Sequence, residues 1–120
     1  MLNLDTHILL YALTGALIPR ERRLLSGDVW SISAIVLWEI AKLAQLKRID
    51  IDLDDVELTR LLSRLHTWPI SIEVCRAIAL LDFRSDPADE IVAATSLVHR
   101  LPLVTRDRTI RKSRQVPLAI

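Results

Sequence analysis

Four acids in this chain are placed to act together: Asp5, Glu39, Asp89 and Asp107. Asp5 ends the apolar run that opens the chain, and Asp107 follows the run Leu103-Val104-Thr105. Glu39 lies in the second turn of a helical pattern opened by Ser33, and Asp89 in the first turn of one opened by Asp86-Pro87. Two like charges about 4 Å apart repel by roughly 1 to 4 kcal/mol at effective dielectrics of about 80 to 20. A carboxylate cluster therefore either takes up protons or binds a cation. Hard oxygen ligands completed by waters favour Mg²⁺, with Mn²⁺ as a substitute. The chain has no His/Cys pattern of the zinc-binding kind. A bound Mg²⁺ activates water and polarises phosphate, which is the chemistry of phosphodiester hydrolysis.

Charge distribution agrees with a phosphate-bearing substrate. The net charge is only +1, but Arg100 to Arg114 holds six basic residues against the single acid Asp107, and Arg20, Arg22 and Arg23 form a second group. Such clusters can follow a nucleic-acid backbone. Three Trp, one Tyr and one Phe are too few for a base-stacking platform.

At 120 residues the expectation is one domain, residues 1–120, with a real core. A single cysteine, Cys75, forbids an intramolecular disulfide framework, fits a reducing cytosol and reads as a small buried residue. No stretch approaches the roughly 20 apolar residues of a membrane span, so a cytoplasmic protein without membrane contact is expected.

The elements that must position the acids follow from the pattern. Met1 to Asp5 reads as a buried strand and Ile8 to Leu17 as a helix; a break at Pro19 precedes a short amphipathic segment to Leu25. Val29 to Ile32 is a second strand candidate. Ser33 caps a helix over Ala34 to Leu46 that is apolar nearly all round, so cover on most sides is expected. Asp54 to His66 reads as a helix with Asp54 and Glu57 at capping-box spacing. Trp68 to Ile72 is extended, Glu73 to Leu81 helical, and Asp86 caps a helix running to about His99. His66 and His99 then fall late in helices. Leu101 to Thr105 is a strand, a short helix starts at Arg108, and Val116 to Ile120 is an edge strand that Pro117 keeps from the centre. Alternating strands and helices imply a parallel sheet with helices on both faces, and ligands then bind at the carboxyl ends of the strands.

Four segments together resemble the PIN-domain ribonucleases, especially the VapC-type toxins of toxin–antitoxin pairs. They are Leu4-Asp5-Thr6-His7-Ile8, Ser33 to Ile40 around Glu39, Asp86-Pro87-Ala88-Asp89 with the following Ile91 to Thr95, and Leu103-Val104-Thr105-Arg106-Asp107. The resemblance implies a three-layer α/β/α fold with a five-stranded parallel sheet. It implies Asp5, Glu39, Asp89 and Asp107 lining an Mg²⁺ pocket, with Asp5 and Asp89 as metal contacts and Glu39 and Asp107 acting through water. RNA would be cut by a metal-activated water, leaving a 5′-phosphate. Thr6, Thr105, Asp86 and Arg106 would support the acids or touch substrate. An antitoxin protein and a homodimer are the implied partners, with Ile35, Trp38, Leu43, Leu46, Leu58 and Leu62 as groove walls. Arg84 and Ser85 stand where many relatives carry a His or Arg.

Other readings fit less well. A haloacid-dehalogenase phosphatase needs a second aspartate two residues after the first, where this chain has His7. A response-regulator receiver needs a late lysine after its terminal strand, where this chain has Arg106-Asp107. An RNA-processing PIN nuclease outside a toxin–antitoxin pair, or a PIN module that binds without turnover, shares the same residues.

Overall fold

The computed structural model describes residues 1–119. Its centre is a parallel sheet of four strands in the order β3-β2-β1-β4: β1 (Leu2–Leu4), β2 (Trp30–Ser33), β3 (His66–Trp68) and β4 (Leu103–Val104). Asn3 is opposite Ser31 on one side and Leu103 on the other. Successive strand residues point to opposite faces, and Leu2, Asn3 and Leu4 are all buried, so both faces of β1 are covered. The Asn3 amide donates to Val92 O and Ser96 Oγ, which places the helix carrying those residues over its face.

The expected fifth strand is reduced, among the described residues, to one parallel bridge between Leu103 and Leu118. Leu103 N donates to Pro117 O and Ala119 N donates to Leu103 O. Pro117 has no N–H with which to extend the ladder. Ile120, the end of the expected strand, lies outside the described residues.

Helix α1 (Thr6–Thr14) begins two residues earlier than the apolar pattern suggests, because Asp5 itself is the N-cap. It stops at Gly15, whose φ of 74° is left-handed and suits glycine. Helix α2 (Pro19–Ser26) starts on Pro19, with the Glu21 carboxylate accepting from Ile18 N at 3.0 Å. Helix α3 (Ala34–Gln45) is capped by Ser33. It is less covered than expected, with Trp38 57% exposed.

Helix α4 (Val56–Leu62) is capped by Asp55, which accepts from Glu57 N, and not by the Asp54/Glu57 pair. It ends before His66, since ladder pairing with β2 draws residues 66–68 into the sheet. Trp68, paired with Ser33, stacks on His99 with centroids 3.9 Å apart, and His66 meets the same ring edge-on. Helix α5 (Ile72–Ile78) is capped by Ser71 and leaves Cys75 exposed, contrary to its small apolar character. Helix α6 (Pro87–His99) and the single turn α7 (Arg108–Arg111) complete the fold. Leu4, Ile8, Leu9, Ile32, Ile40 and Leu103 form the centre of the core.

Candidate active site

The acids gather at the carboxyl edge of the sheet for reasons local to each. Asp5 follows the last residue of β1 and is only 5% exposed. One carboxylate oxygen accepts from Thr6 N at 2.8 Å and the other from Thr105 Oγ1 at 2.6 Å. Burial pushes the Asp5 carboxyl above its ordinary range; the bonds from Thr105 and Thr6 oppose this, and the Asp107 charge adds to it. Thr105 Oγ1 also accepts from Asp107 N at 3.0 Å, so one buried hydroxyl joins the ends of β1 and β4. The Asp107 carboxylate accepts from Ile110 N as the cap of α7.

Glu39 projects from the second turn of α3 and accepts a short hydrogen bond from Thr6 Oγ1. Burial raises its carboxyl, with repulsion from Asp5 and Asp86 in the same direction. Asp89, in the first turn of α6, accepts from Ser85 Oγ at 3.1 Å. Its pKa is pushed up to about 6 by burial first, then by the negative charges of Asp5, Asp107 and Glu39. This mutual repulsion ties the four acids into one electrostatic group.

Residues 3–114 match the PIN domain family. The chain belongs to that family. It is 33% identical over 91 residues to Ribonuclease VapC22 of Mycobacterium tuberculosis, covering 73% of this chain and 70% of that protein. A toxin–antitoxin complex from Klebsiella pneumoniae superposes with TM-score 0.74 at 22% identity, over 93% of this chain and 92% of that one. VapBC2 from Rickettsia felis, bound to a promoter DNA fragment, superposes with TM-score 0.73 at 19% identity, over 98% and 97% of the two chains. These two likenesses show the shared fold.

Within this PIN domain one expectation needs correction. Asp86 occupies the N-cap position of α6 but makes no side-chain capping bond, and its charge is felt at Glu39 instead. Arg106, expected to support the acids or touch substrate, is engaged with protein through Nε and one terminal nitrogen. Its guanidinium grips both oxygens of Glu21, at 2.8 and 2.6 Å, and lies 4.1 Å from the centroid of the Tyr11 ring. That bond holds the Glu21 carboxyl below its usual range. Glu21 and the Ser85 hydroxyl are the contributors that motif reasoning passed over. The sequence did offer a signal for Glu21: it is the lone acid of the Arg20–Arg23 run, three residues after Ile18.

Among the described residues, no three His, Cys, Asp or Glu side chains are spaced to grip an ion directly. The grouped acids offer oxygen donors only, and their repulsion would be relieved by positive charge. Such a set fits Mg²⁺, which keeps several waters and takes one or two carboxylates, better than a closed protein cage.

Proposed function

We propose that this PIN domain is an Mg²⁺-dependent endoribonuclease, with Mn²⁺ as a substitute, and the toxin of a toxin–antitoxin pair. The observation that carries the reading is the group of four mutually repelling carboxylates at the sheet's carboxyl edge. Kinship with Ribonuclease VapC22 supports RNA as the substrate. Asp5 and Asp89 would hold the ion, and Glu39 and Asp107 would reach it through water. The ion would supply a lowered water pKa and a polarised phosphate. The chain's own residues do the positioning. Thr105 fixes one Asp5 oxygen, Thr6 orients Glu39, and Ser85 orients Asp89.

A cognate antitoxin is the proposed protein partner, in line with the complexes among the structural neighbours. Beside α1 and α4 lies a cleft of about 430 Å³, walled by Leu13, Ile51 and Leu58 and rimmed by Asp50, Asp52 and Asp55. An apolar floor with an acidic rim suits an amphipathic basic segment. Exposed Trp38 and Leu46 extend the apolar surface available to a partner. A homodimer in the cytoplasm completes the reading; a solution mass of only 13.7 kDa for the isolated chain would refute the dimer. No helix among the described residues is long and apolar enough to cross a membrane.

The test is cleavage of a defined RNA panel by purified protein with Mg²⁺, Mn²⁺ or EDTA, beside Asp5→Asn. Cuts that need metal and vanish in the variant are expected. Equal cleavage by the variant would remove the four-carboxylate site. Absence of cleavage by metal-loaded wild type across the panel would favour a PIN module that binds without turnover.

A further inference from the structure

We infer that Arg106 is a positioning residue: gripped by buried Glu21 and lying over Tyr11, it ties the start of α2 to the turn between β4 and α7, and so holds Thr105 and Asp107 in register with Asp5. This rests on the nuclease reading of the same site and names what keeps its geometry.

The geometry argues for a clamp rather than a surface ion pair. The Glu21 side chain is 5% exposed, so its carboxylate has left water and depends on its partners. Those partners are Arg106 Nε and a terminal guanidinium nitrogen, in the two-pronged arrangement that fixes orientation as well as charge. A third partner is Ile18 N, at the entrance to α2. The guanidinium also donates to Ala16 O at 3.3 Å and lies over the Tyr11 face. One side chain thereby touches α1, the α1–α2 elbow and α2.

Its backbone stands between Thr105, whose hydroxyl serves Asp5 and the Asp107 amide, and Asp107, whose carboxylate caps α7. Helix α7 is a single turn with little strength of its own. The turn that carries the fourth acid is therefore held from outside, and Arg106 is the residue placed to do it.

The test compares Glu21→Gln, Arg106→Gln, Arg106→Lys and the Glu21→Gln/Arg106→Gln double variant with wild type. Amide hydrogen exchange is read first, because it does not depend on activity. Exchange at Asp107 and Ile110 should rise about tenfold or more in both Gln variants, while Ala93 and Ala94 in α6 keep their protection. A uniform rise across all slow amides would show that the pair only supports the fold, and would overturn the inference. On a cleaved RNA, kcat should fall by about tenfold to a hundredfold with KM changed by less than about twofold.

The double variant should lose no more than either single one, since the two side chains act as a unit. Arg106→Lys, which keeps the charge but not the fork, should fall between wild type and Arg106→Gln. A rise in KM for Arg106→Gln that Glu21→Gln does not share would make Arg106 an RNA contact and overturn the clamp. If wild type cuts no RNA, the nuclease reading fails by itself, and the exchange pattern still decides whether the clamp holds the turn.

Discussion

Asp89 titrates nearer neutrality than an ordinary aspartate. Its pKa rises from 3.8 to about 6 in the fold. A carboxyl raised in this way favours the folded state while protonated, and that contribution is lost as pH rises through about 6. Metal-free protein should therefore lose thermal stability between about pH 4 and 7, and Asp89→Asn should flatten that slope in a melting series across the range. Glu21 works with the opposite sign, since its lowered carboxyl withdraws stability as pH falls below the ordinary carboxylate range. Thr105→Val would strip a buried Asp5 oxygen of its donor and the Asp107 amide of its acceptor. A loss of about 1–3 kcal/mol in urea denaturation is expected, since an unpaired buried polar group costs that much. The positions of Asp5 and Asp107 were legible because each follows an apolar run at a strand end. The engagement of Arg106 was not, because its partner Glu21 lies 85 positions away along the chain.

At the scale of elements, local chemistry predicts helix ends well where a single residue decides them. Ser33 caps α3 as the pattern suggests, and the bounds of α6 agree closely. Prediction fails where a neighbour competes. His66 ends a helical pattern in sequence, yet pairing with β2 draws it, with Thr67 and Trp68, into a strand. Asp86 has the right type and position for a cap, yet forms no capping bond. Gly15 offers a clean check on α1. Its φ of 74° strains any side chain, although a Cβ there would meet nothing within 4 Å. Gly15→Ala should thus cost about 1 kcal/mol through backbone strain alone, measured as a lower denaturation midpoint with an unchanged slope.

For the molecule as a whole, alternating strands and helices were enough to place a parallel sheet and the edge where the four acids gather. The number of strands was not, because a short terminal segment containing Pro117 makes one bridge where a full strand was expected. That edge gathers negative charge that the core below it cannot neutralise, so a cation bound there would be linked to folding. Saturating Mg²⁺ or Mn²⁺ should raise the melting temperature, with stabilisation of about 2.7 kcal/mol at a hundredfold excess over the dissociation constant. Whether these carboxylates form one divalent-cation site is tested most directly by titrating Mn²⁺ into wild type and Asp89→Asn at about pH 7.5, followed by calorimetry. Binding by wild type that weakens about tenfold or more in the variant is expected. Equal affinity in the two proteins, or no binding by folded wild type, would contradict it.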